Sequence, residues 1–147
     1  MEKTFHMLLY RAFHAERNHL RPYLGKIGLE IGQPKLLAYL DTNGPCKQSQ
    51  LAEYFDVDSA AISRMLDSLE KGDFITRQPS EQSRRCNLVN LTAKGQKALQ
   101  AWRSYCQETE DIMLCGFSPS EQRQFADFLF RAYQNLRIDK EGSPCTT

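Results

Sequence analysis

Two short helical segments separated by only three residues constrain this chain more than any other feature of its sequence. Gln48–Phe55 and Ser59–Lys71 both read as helices, and Asp56, Val57 and Asp58 are all that joins them. So short a connection makes the second helix pack back across the first, the helix-turn-helix arrangement. In the second segment Ile62, Met65, Leu66 and Leu69 recur at i, i+3, i+4 and i+7, the stripe of a helix lying on a core. Asp58 is placed to cap its first turn and Gly72 to end it. The opposite face carries Ser59, Ala60, Ser63, Arg64 and Asp67. Small hydroxyl and methyl groups with one arginine allow close approach to base edges in a groove ~12 Å wide. Taken alone, an ordinary solvated face has the same composition.

The next segment decides between these readings. Phe74–Gln78 and Cys86–Leu91 read as two β-strands around the polar loop Pro79-Ser-Glu-Gln-Ser-Arg-Arg85, and Thr92 is placed to cap a long helix. From Arg77 to Asn87 three arginines, Arg77, Arg84 and Arg85, stand against one acid, Glu81. A helix-turn-helix followed directly by a basic hairpin is a winged helix. That order offers double-stranded DNA two contacts, a helix in the major groove and a loop whose arginines reach phosphates or the adjacent minor groove. Arg84 and Arg85 are the candidate wing contacts, with pairing to a neighbouring acid as the plain alternative for each.

The flanks are helical. Phe5, Leu8, Leu9, Ala12, Phe13 and Leu20 recur with a helical period between Lys3 and about Gly25, and a second helix is expected from about Gly32 to Leu40, with Pro34 in its first turn and the Asp41–Pro45 cluster stopping it. The long helix from Thr92 carries Leu99 and Trp102, and Gly116-Phe-Ser-Pro119 separates it from a last helix striped by Phe125, Phe128, Leu129, Ala132, Tyr133 and Leu136. The winged unit has a core of its own, so the terminal stripes need another surface, and a second copy of the chain is the simplest one. Candidate dimerisation residues are therefore Phe5, Leu8, Leu9, Phe125, Phe128, Leu129, Tyr133 and Leu136. The expected fold class is mainly α with a small β-hairpin wing (α+β), a single domain over 1–147. Its parts are a winged helix-turn-helix unit at 32–95, dimerisation helices at 1–28 and 96–138, and a flexible tail at 139–147.

Composition narrows the function classes without naming one. A chain of 147 residues with 41% hydrophobic and 25% charged residues has the means to bury a core, and no stretch approaches the ~18 uninterrupted apolar residues of a membrane span. A cytoplasmic protein with no membrane partner is expected. The five cysteines, Cys46, Cys86, Cys106, Cys115 and Cys145, are odd in number and lack CxxC spacing, so reduced thiols are expected. Cys106 and Cys115 fall nine apart in what reads as one helix, hence on opposite faces. His6, His14 and His19 lack the i, i+4 spacing of a helical metal pair, so no metal is expected, and no cofactor either. Without a glycine-rich phosphate loop, nucleophile elbow or metal pair, the chain does not read as an enzyme. The net charge of +1 divides into +2 over residues 1–45, +1 over 46–97 and −2 over 98–147, a weak lean beside the local arginines. A winged-helix adaptor that binds protein rather than DNA is the rival class.

The order of elements and several motifs resemble the MarR family of bacterial transcription regulators over essentially the whole chain. The motifs are Gln48-Ser-Gln-Leu-Ala-Glu53, Ile62-Ser-Arg64 with Leu69-Glu-Lys-Gly72, and Leu88-Val-Asn-Leu-Thr-Ala-Lys-Gly95. The resemblance implies a triangular homodimer with intertwined terminal helices, its two recognition helices entering successive major grooves of a pseudo-palindromic operator, and a repressor by family habit. It places Ser59, Ala60, Ser63 and Arg64 at groove-facing positions, Gln48 and Ser49 near the DNA backbone, and Arg85 at the wing arginine. It also implies a small aromatic effector in the crevice between the dimerisation helices and the winged unit, with Tyr10, Phe13 and Tyr39 available to line it. No effector residue is assigned. Two positions depart from the family pattern. Ser83 stands where an acid usually braces the wing arginine, leaving Glu81 to hold the wing, and Lys47 replaces a capping Ser or Thr, leaving Gln50 or water to serve the first turn of its helix. The first helix has no cysteine for oxidant sensing, so Cys46, in the turn before the helix-turn-helix, is the candidate thiol.

Overall fold

The computed structural model describes the backbone of residues 3–80 and 83–140 and the side chains of residues 3–79 and 88–138. In chain order the elements are α1 (Phe5–Ile27), α2 (Gln33–Asn43), β1 (Cys46–Lys47), α3 (Gln48–Tyr54), α4 (Ser59–Lys71), β2 (Ile75–Ser80), β3 (Ser83–Leu91), α5 (Ala93–Met113) and α6 (Pro119–Lys140). They form two compact units, residues 1–109 and residues 110–147.

The first unit is a winged helix-turn-helix. Leu36, Leu37, Leu51, Ile62, Leu66, Leu69, Ile75, Val89 and Leu99 are each exposed by 1% or less, so α2, α3, α4, the sheet and the start of α5 share one core. The 3.6-residue stripe on α4 is what fixes its inner face, and all of it but the half-buried Met65 is fully inside. Asp58 caps α4, its carboxylate accepting the Ala61 N–H at 2.9 Å. Gly72 ends the helix with an ordinary negative φ, and the left-handed residue is the next one, Asp73 at φ 63°. What requires glycine at 72 is space, since a Cβ there would lie 2.7 Å from the Phe74 ring.

Several boundaries differ from the sequence reading. α1 runs through Pro22 to Ile27, where Gly28 at φ 76° closes it with its N–H on the Leu24 and Gly25 carbonyls. α2 continues through Asp41 and Thr42 to Asn43, because polar residues on its solvent side do not oppose a helix whose inner face holds Leu36, Leu37 and Leu40. The strands take up most of the expected Pro79–Arg85 loop, pairing from Ile75↔Leu91 to Pro79↔Asn87, with a register shift before Ser80↔Ser83. A third strand, β1, pairs Cys46 with Val89 and Lys47 with Leu88, giving the antiparallel order β1-β3-β2. α5 stops at Met113, so Cys115 lies beyond the helix that holds Cys106.

Two hydrogen bonds lock the start of α5 against the end of α4, and a third caps α5 itself. Thr92 Oγ1 donates to the Asp73 carbonyl at 2.7 Å and accepts the Gly95 N–H at 3.0 Å, while Lys94 Nζ donates to the Gly72 carbonyl at 2.7 Å and lies over the Phe74 ring. Arg103 on α5 reaches Asp41 on α2 at 2.7 Å.

The second unit contains α6. Gly116 at φ 86° turns the chain after α5, and Ser118 and Glu121 form a reciprocal capping box, Glu121 N–H to Ser118 Oγ at 3.2 Å and Ser118 N–H to Glu121 Oε2 at 2.7 Å, with Pro119 at the first helical position. No described side chain of α6 is buried, and only Ala132 is even half-buried. The tail expected at 139–147 lies outside the described side chains.

Candidate nucleic-acid interface

α3 and α4 meet at a turn made possible by Asp56 at φ 52°, a conformation Asp tolerates better than most residues. Leu51 anchors α3 in the core, which leaves its first turn at the surface with Ser49 exposed and Gln48 half-buried. Lys47 cannot cap that turn through its ammonium, and Gln50 Oε1 instead accepts the Lys47 backbone N–H at 2.8 Å. Gln50 thus serves the N–H of Lys47 itself, the residue before the helix, and not the first-turn N–H groups for which the sequence suggests Gln50 or water.

On α4, Ser59, Ala60 and Arg64 are exposed and Ser63 is half-buried, all on the side away from the Ile62–Leu66–Leu69 stripe. Arg64 has no charged partner among the described residues. The structure therefore brings together on one surface the four positions expected to face a groove. Arg84 and Arg85 belong to the β3 backbone, and their side chains, with those of Ser83 and Glu81, lie outside the described residues.

Arg77 behaves differently from its place in the basic segment. It turns towards α4, with Nη2 2.5 Å from Asp67 Oδ1 and 3.0 Å from Glu70 Oε1, and its own backbone N–H donates to Glu70 Oε2 at 3.0 Å. Its side chain is only 16% exposed, so it is committed to the two carboxylates and not to phosphate. The guanidinium beside Glu70 holds that carboxyl below its ordinary range, and the same pairing raises Arg77. Sequence reasoning missed this because Asp67 and Arg77 are ten positions apart in different elements.

A cavity of about 560 Å³ lies inside the first unit behind α4. α1 contributes Phe13, Glu16 and Arg17, α4 contributes Met65 and α5 contributes Trp102. Arg17 Nε is buried with no hydrogen-bond partner among the described residues, an arrangement that costs stability. Of the aromatics considered from sequence, Phe13 lines the cavity, whereas Tyr39 packs instead on Tyr54 at 4.7 Å and on Phe55 at 6.0 Å.

The expected dimerisation residues are all exposed within their own units. Phe5 is 70%, Leu8 44% and Leu9 47% exposed on α1, and Phe125, Phe128, Leu129, Tyr133 and Leu136 range from 41% to 71% on α6. Cys46 is buried beside β3, and burial pushes its thiol up, away from the thiolate an oxidant needs. Among the described residues no cluster of His, Cys, Asp and Glu could hold a metal ion, and no helix is long and apolar enough to cross a membrane.

Comparison with known proteins agrees with this geometry. The model of the MarR family matches residues 29–87. The HTH-type transcriptional regulator BilQ of Clostridium symbiosum (strain WAL-14163) is 29% identical over 122 residues, 83% of this chain and 82% of BilQ. An uncharacterized HTH-type transcriptional regulator of Bacillus subtilis (strain 168), YxaD, is 32% identical over 103 residues, 70% of this chain and 72% of YxaD. A crystal structure of MarR matches the fold with a TM-score of 0.84 at 26% identity, covering 96% of this chain and 98% of that one.

Proposed function

The chain belongs to the MarR family of transcription regulators, which are not enzymes, and from that premise we propose that it represses transcription in the cytoplasm by binding a pseudo-palindromic DNA operator as a homodimer. The observation that carries the reading is the outer face of α4. Ser59, Ala60 and Arg64 stand exposed on a helix whose inner Ile62, Leu66 and Leu69 are fully buried, with the wing hairpin tied to the same helix through Arg77. Gln48 and Ser49 are the proposed contacts to the DNA backbone, and Arg84 and Arg85 the proposed contacts of the wing.

Dimerisation follows from the exposed stripes on α1 and α6. An apolar surface of that extent on two helices is costly in water and is removed when a second copy covers it. Two-fold symmetry then presents two α4 helices to half-sites one helical turn, ~34–36 Å, apart.

The cavity supplies a route for ligand control. Its walls combine the apolar Leu20, Leu24, Met65 and Trp102 with the cations Arg17 and Lys35 and the acid Glu16, a lining that suits a small aromatic acid. Met65 reaches the cavity from the inner side of α4 while Arg64 lies outside, so a ligand against Met65 acts directly on the helix that reads the groove.

The test is selection from a random-sequence duplex library, followed by sequencing and by the sedimentation of the protein with the enriched duplex. Enrichment of an inverted repeat bound by two chains is the expected outcome. Failure to enrich any sequence, with retained solubility and fold, makes the chain a protein-binding adaptor instead.

A further inference from the structure

Asp67 sits badly for a helix that reads DNA. It lies four residues after Ser63 and three after Arg64, on the same outer face, and its side chain is 62% exposed. A carboxylate there repels the phosphates on either side of a groove. Glu70, one turn further on, adds a second negative charge, and Arg77 is the cation that engages both.

The geometry of that engagement is more than a surface ion pair. Glu70 holds β2 at two places, the Arg77 guanidinium and the Arg77 main-chain N–H, each at 3.0 Å. Asp67 takes the guanidinium from the preceding turn of α4. A side chain pinned to two turns of a helix and a main chain pinned to one of them leave the strand little freedom to slide along α4 or rotate about it. At the strand's base, the Thr92 and Lys94 bonds fix the neighbouring corner, and the Asp67–Glu70–Arg77 cluster fixes the hairpin further towards its tip.

We infer that Arg77 is a positioning residue for DNA recognition: through Asp67 and Glu70 it sets the wing at one offset from the recognition helix, so that both meet a duplex in a single register. The inference rests on the DNA-reading function proposed above. Arg77 makes no DNA contact itself. The acid on the groove-facing side is the anchor that this coupling requires, and its charge is compensated by the residue it anchors.

The experiment compares E70Q, D67N and R77M with the parent on two duplexes, the one enriched from the random library and an unselected one of equal length. Each is titrated at several salt concentrations alongside a thermal melt. E70Q retains an acceptor for the Arg77 N–H and preserves the fold. The expected result is a loss of about tenfold in the ratio of selected to unselected affinity for all three variants. D67N is the decisive one, because removing a negative charge from the DNA-facing side tightens binding to any duplex by charge alone. A fall in its affinity ratio therefore has no simple charge explanation.

Three results would overturn the inference. A direct phosphate contact makes R77M weaken both duplexes equally and lowers the log–log salt slope by about one. A purely structural brace lowers the melting temperature and leaves the affinity ratio unchanged. If the parent chain discriminates between no duplexes, the DNA-reading function falls and this inference falls with it.

Discussion

Replacing Gly95 with alanine sets two effects of opposite sign against each other. Gly95 is the third residue of α5, and by helix propensity alone alanine there stabilises by at most ~1 kcal/mol. The structure opposes this, because the new Cβ would overlap the Phe74 carbonyl oxygen, lie 2.8 Å from Leu91 Cδ1 and come within 3.0 Å of the Phe74 carbonyl carbon. Relaxed carbon contacts lie at ~3.5–4.0 Å, and most of what Gly95 meets is backbone that cannot turn aside. Overpacking of this kind costs ~1–3 kcal/mol. Separating the two segments also strains the Thr92 N–H to Phe74 carbonyl bond, 3.2 Å in the native arrangement, a loss of ~0.5–1.5 kcal/mol. Clash therefore outweighs propensity, and G95A is expected to lose about 1–3 kcal/mol by urea denaturation at fixed protein concentration. A G95A protein as stable as the parent, or more so, would refute the close packing of α5 on the Phe74 strand entry.

Three further outcomes follow from the same geometry. The carboxyl of Glu70 is depressed in the folded state, so the unfolded chain binds the extra proton first; the stability from this pairing is complete above the ordinary value of 4.5 and is lost as pH falls through the depressed one. Acid titration of parent and E70Q should show their stability difference shrinking over that acidic window, and a difference independent of pH would contradict the pairing. Iodoacetamide at mildly alkaline pH should alkylate exposed Cys115 quickly and buried Cys46 only after unfolding, as read by peptide mass spectrometry; equal rates would contradict the burial of Cys46. Phe128→Lys, at a side chain 56% exposed in its own unit, should leave the helix content intact and weaken self-association by at least tenfold in sedimentation equilibrium, whereas an unchanged association constant would remove α6 from the dimer interface.

Much of the fold was legible because its periodicities are local. The Ile62–Leu69 stripe, the Asp58 cap and the three-residue connection each lie within a few positions of one another, and α4 begins and ends where they imply. Features that depend on distant residues were not legible. β1 is two residues long, too short to show any alternation, and exists because Val89 and Leu88 offer it a partner. Gly72 reads from sequence as the end of α4, which it is, yet the need for glycine there is set by the ring of Phe74. Arg77 read as part of a basic wing because sequence shows charge without direction, and only the fold turns it onto Asp67 and Glu70. The outer face of α4, Ser59, Ala60, Ser63, Arg64 and Asp67, was legible from spacing, and the family resemblance singled out the first four, whereas Arg17 at the cavity carried no signal, being one arginine among the charges of a long amphipathic helix.

The central claim is that this winged helix reads DNA sequence, and fluorescence anisotropy tests it most directly. Labelled duplex from upstream of the protein's own gene is titrated at several salt concentrations, with unlabelled random DNA as competitor. The account predicts binding at least ~10³-fold tighter than to the random competitor, with affinity falling steeply as salt rises because several phosphates are neutralised. Absence of binding at every salt concentration, or equal affinity for upstream and random DNA, would contradict it.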